Sequence, residues 1–209
     1  MPQGKFATAI TLALSCVVPM ACAAAPLSPA AKAALRLIAQ NADNAGEPFM
    51  VIDKRRARVW VFGGNARLLG TSPVLLGLAR GDDSVPDIGT RPIEAIAPGE
   101  RTTPAGRFVA EPGRNADGED IFWVDYDNAV SLHRVRATNP RERRLQRLAS
   151  ASAADNRISY GCVNVPVKFY DSLIQALFTH GSGVIYVLPE TRVVSSIFKP
   201  PALLVSSVY

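Results

Sequence analysis

The chain has 209 residues, of which 48% are hydrophobic and 20% charged, and its 23 Lys and Arg against 18 Asp and Glu give a formal charge of +5. This apolar fraction and modest net charge exclude a disordered chain. The 15 Gly and 16 Pro predict a loop-rich fold rather than a fibrous one. The length favours one domain with at most an extension. Three cysteines, an odd number, exclude a complete disulfide framework.

Residues 1–23 have the features of a secretory signal peptide. A lysine precedes an apolar run over residues 6–20, and the small residues that follow allow cleavage after Ala23. Cleavage after Ala25 or lipoprotein processing at Cys22 fits the residues less well. The run falls short of the roughly 20 residues of a membrane span, so we expect no transmembrane segment in the mature chain. We therefore expect an exported, periplasmic protein whose mature chain keeps a single cysteine, Cys162.

The first half of the mature chain is predicted to contain one helix and then strands. Ser28 followed by Pro29 is typical of a helix N-terminus, and this helix should end near Asn41, within an N-terminal segment over residues 24–47. From residue 48 onward, β-branched and aromatic residues favour strands. A hairpin, a further strand and a long Gly/Pro-rich loop are predicted over residues 50–62, 68–76 and 77–105.

The second half is predicted to contain strands, two helices and a last strand. Asn139-Pro140 is typical of a helix start, and Pro166 opens a second helix that Gly181 closes. The first of these helices should continue to Leu148. Residues 191–209 form a tail without a clear assignment. The predicted strands cover residues 108–110, 121–124, 129–133 and 184–188. A mainly β domain is therefore expected over residues 48–190.

The sequence around Cys162 favours a nucleophile over an inert thiol. Gly161 leaves space beside the sulfur and lets backbone N–H groups face a developing negative charge. A nucleophilic thiol also needs a base, and the mature chain offers two imidazoles. His133 ends an apolar strand, where side-chain placement is well defined. His180 lies at a predicted helix C-terminus, where capping is the favoured role. His133 is therefore the predicted base.

Three sequence elements, in order, resemble those of the L,D-transpeptidase (YkuD-type) family. Thr103-Pro104-Ala105-Gly106-Arg107-Phe108 is similar to the family's Thr-Pro-x-Gly-x-Phe element, and His133 follows on a strand. Ser159-Tyr160-Gly161-Cys162-Val163-Asn164 is similar to the Ser-x-Gly-Cys-x-Asn signature. The resemblance covers residues 49–188 and implies a YkuD-like β-sandwich with one or two short helices. The chain departs from the family at Tyr160, where His is usual, and in a longer segment between His133 and Cys162.

The resemblance implies a cysteine acyltransferase that acts on peptidoglycan stem peptides. The Cys162 thiolate would form a thioester and release D-alanine, with His133 as general base and then acid. Backbone N–H groups of Tyr160, Gly161 and Cys162 would form the oxyanion hole. An amine of a second stem, or of a lipoprotein, would resolve the thioester, and neither a metal nor an organic cofactor is implied. If water were the acceptor, the protein would be a hydrolase on the same scaffold. If Tyr160 in place of the usual His abolished catalysis, the protein would instead be a non-catalytic module that binds the cell wall.

Six arginines lie between the predicted base and nucleophile, at positions 134, 136, 141, 143, 144 and 147. They predict either a solvated helical face or a lid in which Arg134 and its neighbours bind stem-peptide carboxylates in bidentate pairs. No nucleic-acid partner is expected for an exported chain, despite this positive charge. Ser159 is predicted either to contact substrate or to serve as a turn residue. Asn164 is predicted either to bind substrate or to brace the loop.

Overall fold

The computed structural model describes residues 25–178, 181 and 183–198 of the chain. The predicted signal peptide, the second histidine (His180) and the end of the predicted tail lie outside the described residues. Within these ranges the protein consists mainly of β-strands, with short helices, so the predicted fold class is confirmed. In the same part of the chain, no helix is both long and apolar enough to cross a bilayer.

The N-terminal helix, α1, spans Pro29–Asn41 and begins as the sequence predicts. The Ser28 hydroxyl accepts the Ala31 N–H at 3.0 Å and donates to the Asp53 carboxylate at 2.6 Å, which fastens the helix start to the first hairpin. The apolar side of α1 packs with the 3₁₀ turn Val194–Ile197 on one face of the main sheet. Segments before and after the sheet therefore share a second, smaller core. Its buried members outside the strands are Ala31, Ala34, Ile38 and Phe198.

Eight strands form the main sheet, and the last strand within the described residues lies at its centre. The strands span Phe49–Asp53 (β1), Arg58–Phe62 (β2), Leu68–Pro73 (β3), Leu76–Gly77 (β4), Gly106–Arg114 (β5), Asp120–Asp125 (β6), Val130–Arg134 (β7), Arg157–Ser159 (β8), Val163–Val165 (β9) and Gly183–Leu188 (β10). The order across the sheet is β3-β2-β1-β10-β5-β6-β7-β9, and β4 pairs separately with β8. β10 runs parallel to β1 and antiparallel to β5, and all of its residues are buried. All the predicted strands are present, whereas β8 and β9 were not predicted.

The main sheet curls so that its two edges nearly meet. Leu75, just after β3, exchanges backbone hydrogen bonds of 2.8 and 2.9 Å with Asn164 in the opposite edge strand, β9. The enclosed face holds the main core, in which Leu132, Val163 and Ile185 are fully buried. The two faces of the sheet thus pack against separate cores, as in a layered β fold.

The predicted helix between Asn139 and Leu148 is present in two pieces. A 3₁₀ turn, Pro140–Glu142, precedes the short helix α2, Arg144–Ala149. Arg143 separates them because its backbone is left-handed, with φ at 51°. Asn139 caps the first piece by accepting the Arg141 N–H at 3.1 Å. The arginine-rich segment is therefore a capped turn followed by a short helix. It does not form the continuous helical face that was one of the two predicted arrangements.

A helical segment after Pro166 covers the main core. The sequence predicted one regular helix here, but the segment is interrupted by a π-helical turn. Helix α3, Val167–Phe169, continues through a π-helical turn, Tyr170–Ile174, into α4, Gln175–Phe178. Tyr170 and Ile174 are fully buried, as the apolar face predicts. The Tyr170 hydroxyl donates to the Asp120 carbonyl at 3.1 Å, so this segment also contacts the start of β6.

The Gly/Pro-rich segment over residues 77–105 contains three 3₁₀ turns, and a buried charge cluster fixes both of its ends. We use this name for Lys54, Asp82, Arg157 and Glu190, all of which are buried. Lys54 Nζ lies 2.9 Å from Asp82 Oδ1, and Arg157 Nη2 lies 2.7 Å from Glu190 Oε2. Lys54 also donates to the Thr103 carbonyl at 2.9 Å. The cluster thereby joins the β1–β2 turn, the long segment, β8 and the end of β10.

The buried charge cluster holds two cations against two anions away from water. Burial by itself would raise the pKa of Asp82, but hydrogen bonds from Thr191, the Glu190 N–H and Lys54 outweigh it and hold this pKa well below its usual range. The pKa of Lys54 is lowered, because burial outweighs the attraction of Asp82 and Glu190. The cluster is therefore strongly coupled, and each charge depends on the presence of the others.

Candidate active site

The turn that carries Cys162 connects β8 to β9 and is held by two hydroxyl groups. The Ser159 hydroxyl donates to the Cys162 carbonyl at 2.6 Å and accepts the Gly161 N–H at 3.2 Å. The Thr103 hydroxyl donates to the Gly161 carbonyl at 2.7 Å and accepts the Gly77 N–H at 2.8 Å. Ser159 therefore braces the turn in this structure, and its contact with substrate stays a prediction. Thr103 fixes the same turn from the long Gly/Pro-rich segment.

Gly161 adopts a backbone conformation that residues with a side chain rarely adopt. Its φ is +139°, and a Cβ at this position would lie 3.0 Å from the Thr102 carbonyl oxygen. Backbone strain of this kind costs roughly 1–3 kcal/mol in residues other than glycine. The turn that presents Cys162 therefore requires glycine at position 161.

Replacing Gly161 with Ala should lower the free energy of unfolding by about 1–3 kcal/mol, because the new Cβ adds strain and presses on Thr102. Urea denaturation of the mature chain measures the change. Gly99→Ala is the matched control, since a Cβ there would meet nothing within 4 Å. Equal losses in the two variants would contradict a special role for Gly161.

The Cys162 thiol is half-buried and lies among hydrogen-bonding groups of β7 and the turn before it. Both the backbone N–H and the hydroxyl of Ser131 lie 3.5 Å from Cys162 Sγ, and the Ala129 carbonyl lies 3.7 Å away. Burial would raise the pKa of the thiol, but the hydrogen bond and charge of His133, together with Ser131, outweigh it, and the pKa is lowered. A lowered pKa increases the thiolate fraction and hence the reactivity at neutral pH.

His133 is brought to Cys162 because β7 and β9 are parallel neighbours. Their register places His133 opposite Asn164, two residues after Cys162. His133 Nδ1 lies 2.7 Å from the Arg134 carbonyl oxygen, and His133 Nε2 lies 3.0 Å from the Asn164 amide nitrogen. Asn164 is almost fully buried. Asn164 therefore braces the imidazole as well as the loop in this structure, and its binding of substrate stays a prediction.

Arg134, a predicted substrate-binding residue, is engaged by protein carboxylates. Its Nη1 lies 2.8 Å from Asp120 Oδ1 and its Nε lies 2.6 Å from Asp171 Oδ1. The guanidinium also lies over the Tyr170 ring, at 4.2 Å from the ring centroid. A guanidinium shared between two carboxylates is not available to a substrate carboxylate in this conformation. The geometry favours a bracing role for Arg134 between β7 and the C-terminal helical segment.

Two other arginines of the segment, Arg136 and Arg147, also have partners that the local sequence did not indicate. Arg136 pairs with Asp117 at 2.6 Å, with both side chains largely exposed, and Arg147 donates to the Asp155 carbonyl at 2.8 Å. Among the arginines of the segment, Arg144 alone contacts Asn164. Acids from other elements therefore face the segment.

Tyr160 stacks with an arginine from the long segment. Arg101 lies over the Tyr160 ring at 3.9 Å from its centroid, and its guanidinium donates to the Ile96 carbonyl at 3.0 and 3.2 Å. Tyr160 and Cys162 line a cleft of about 360 Å³, which Ile93 also borders. No local pattern indicated the contact between Arg101 and Tyr160, because these residues lie far apart in the chain.

The predicted oxyanion donors differ in their present partners. The Gly161 N–H is engaged by Ser159, so a role in binding an oxyanion requires that bond to break. The roles of the Tyr160 and Cys162 N–H groups stay predictions.

The sequence analysis missed Ser131 as a residue of the site. Strand alternation offered a signal for it, since Ser131 precedes His133 by two residues and therefore lies on the same face of β7. Among the described residues, no group of three or more His, Cys, Asp or Glu side chains is placed to hold a metal ion.

Comparison with known proteins gives matches among solved structures. No protein-family model matches the chain, and no curated protein matches it. The crystal structure of Mycobacterium tuberculosis L,D-transpeptidase 1 is 17% identical, with 68% of this chain and 61% of that chain covered and a TM-score of 0.38. An L,D-transpeptidase from Stackebrandtia nassauensis is 13% identical over 69% of this chain and 56% of that chain, with a TM-score of 0.40. The catalytic domain of the E. faecium L,D-transpeptidase is 17% identical over 68% of this chain and 98% of that domain, with a TM-score of 0.37.

The chain thus spans about six-tenths of the length of the first two of these proteins. The matched structures are L,D-transpeptidases, the family that the sequence motifs resemble, at identities and TM-scores too low to assign an activity.

Proposed function

We propose that the protein is an exported cysteine acyltransferase that acts on peptidoglycan stem peptides, an L,D-transpeptidase. The observation that carries the proposal is the Cys162 thiol, whose pKa is lowered by His133 and Ser131 and which borders an open cleft. A thiol with a lowered pKa, placed beside an imidazole in a cleft, has the properties of a nucleophile. The fastened turn around Gly161 supports this role, because it holds the sulfur in one position.

In the proposed reaction, His133 accepts the thiol proton while Cys162 Sγ attacks the carbonyl carbon that precedes D-alanine. Backbone N–H groups of the Cys162 turn stabilise the tetrahedral oxyanion. Its collapse breaks the C–N bond, His133 returns the proton to the leaving amine, and D-alanine departs from the thioester. An amine of a second stem, or of a lipoprotein, then attacks the thioester carbonyl. Collapse of the second intermediate gives the new amide and restores the thiol.

A carbapenem tests the nucleophile, since this β-lactam class acylates the family that the sequence resembles. We expect one covalent adduct per chain on the wild type and none on Cys162→Ala, because opening of the lactam by Sγ leaves the whole inhibitor attached. Intact-mass spectrometry of the mature chain measures both. An unmodified wild type, or an adduct that persists in Cys162→Ala, would refute the proposed thiol chemistry.

The products of a reaction with isolated muropeptides identify the acceptor. New cross-links between two L-centres are expected for transfer to a second stem. Shortened or released stems without cross-links would instead show that water resolves the thioester. Cys162→Ala serves as the control for background hydrolysis.

A further inference from the structure

Arg144 differs from the other arginines of its segment because it is turned toward the interior. Only 13% of its side chain is exposed, and its Nε pairs with Glu142. Its Nη1 donates to Asn164 Oδ1 at 2.7 Å. Arg144, Asn164, His133 and Cys162 line the same cleft. Arg144 therefore reaches the candidate active site through the side chain of Asn164.

Asn164 can respond to Arg144 in only one way, by the direction of its amide. The residue is 1% exposed, and its backbone N–H and C=O are both bonded to Leu75. Its amide oxygen accepts from Arg144, so its NH₂ group faces His133 Nε2 at 3.0 Å. If the amide turned over, the oxygen would face Nε2 and the NH₂ group would face the guanidinium, where two donors would oppose each other.

We propose that Arg144 is a positioning residue that sets the tautomer of His133, with Nδ1 protonated and Nε2 free of a proton, by fixing the direction of the Asn164 amide. Nδ1 faces the Arg134 carbonyl, which can only accept, so Nδ1 carries the proton. Nε2 faces an N–H donor, so Nε2 is the acceptor. The neutral imidazole is the form that takes a proton from Cys162. This part of the inference rests on the proposed function.

Loss of Arg144 frees the Asn164 amide to turn over. With the amide oxygen toward Nε2, the ring gains an acceptor for a second proton, and the imidazolium beside the Cys162 thiolate is stabilised. The apparent pKa of the thiol then falls. Loss of a positive charge without any amide turnover has the opposite effect, because a cation near the thiolate favours ionisation. The direction of the change therefore separates positioning from simple electrostatics.

Other charged or titratable groups face the cleft and the adjoining cavity, and they remain the same when Arg144 is changed. In the cleft these groups are Arg136, Glu142 and Tyr160. In the adjoining cavity, which also borders His133, they are Arg114, Glu119, Asp120 and Arg134. Glu142 is the exception, because Arg144→Met leaves its carboxylate unpaired. An unpaired anion near the thiolate raises the pKa of the thiol, the same direction as simple loss of the cation. The contributions of the other groups cancel in a comparison between variants of position 144.

The experiment measures the histidine tautomer and the reactivity of the thiol in the mature chain. Long-range ¹H–¹⁵N NMR of ¹⁵N-histidine should show His133 with protonated Nδ1 and unprotonated Nε2 in the wild type, with His180→Gln used to assign the two histidines. In Arg144→Met the share of doubly protonated His133 should rise at the same pH. The rate of Cys162 alkylation by iodoacetamide should then reach half its maximum about one pH unit lower, the size expected for one hydrogen bond to a charged ring.

Two further variants complete the test. Arg144→Lys keeps a cationic donor and should restore the wild-type tautomer and alkylation profile. Arg136→Met removes a cation from the same cleft without touching Asn164, so its profile should stay in place or move to higher pH. A wild-type His133 that carries its proton on Nε2 would overturn the proposal without any variant. An unchanged or upward-shifted profile in Arg144→Met would overturn it as well.

Iodoacetamide needs no peptidoglycan substrate, so this result is independent of the proposed function. If the tautomer and profile are as expected but no stem peptide is transferred, the positioning of His133 holds and the proposed acyltransferase activity fails.

Discussion

Replacing His133 with Ala is expected to slow carbapenem acylation of Cys162 by about 10²–10⁴-fold, the contribution of a positioned general base. His133 is the side chain whose hydrogen bond and charge do most to lower the pKa of the thiol. Without it that pKa rises, so the alkylation profile of Cys162 should also move to higher pH. The time course of adduct formation by intact-mass spectrometry gives the rate.

The matched control for His133→Ala is His180→Ala, since these are the two histidines of the sequence. The control should retain the wild-type acylation rate. Equal loss in both variants, or no loss in His133→Ala, would remove His133 from the proposed reaction and leave the thiol without its predicted base.

Replacing Lys54 with Met should lower the free energy of unfolding by about 3–5 kcal/mol, the usual cost of breaking a buried ion pair by removing one partner. Lys54 is fully buried and lies 2.9 Å from Asp82, so its loss removes the buried cation that faces this carboxylate. Chemical denaturation measures the change. Arg136→Met is the control, because Arg136 forms an exposed pair that contributes about 1 kcal/mol or less. A Lys54 variant as stable as this control would contradict the assigned role of the cluster.

The same cluster should make stability depend on acid. The fold holds the pKa of Asp82 below that of the unfolded chain. The carboxylate therefore contributes stability that is fully present above the ordinary aspartate pKa of about 4 and is lost as the pH falls below it. Asp82→Asn should weaken this dependence while lowering stability at neutral pH. Denaturation at pH 7 and at lower values measures both.

Local sequence signals predicted much of the fold. Ser28 before Pro29 marked the start of α1, because a side-chain cap acts within one turn of helix. The β1–β2 hairpin was equally visible, since its residues are neighbours in the chain. The edge strands β8 and β9 were missed, since each has three residues and is defined by its pairing with distant strands. The candidate nucleophile and base were found by motif, and the structure then placed them side by side.

The charged residues were harder to interpret from the sequence. Lys54 lies among polar residues in the turn of the predicted hairpin, yet it is fully buried. Its burial is stable only because Asp82 and Glu190 converge on it from distant segments. Arg134 likewise had no visible acid nearby, and its partners come from other elements. Burial of charge depends on long-range partners, which no local pattern reveals.

The central position of β10 determines the order in which the protein can be built. β10 joins the half of the sheet that contains β1 to the half that contains β5, and it is the last of the described strands. A chain still being synthesised lacks the element that unites the two halves, so the complete sheet forms only after translation has passed Leu188. β1 and β10 are also separated by most of the domain's sequence. Their pairing should therefore form more slowly than a hairpin between neighbouring strands. The two halves of the main sheet thus stay separate until β10 has been made.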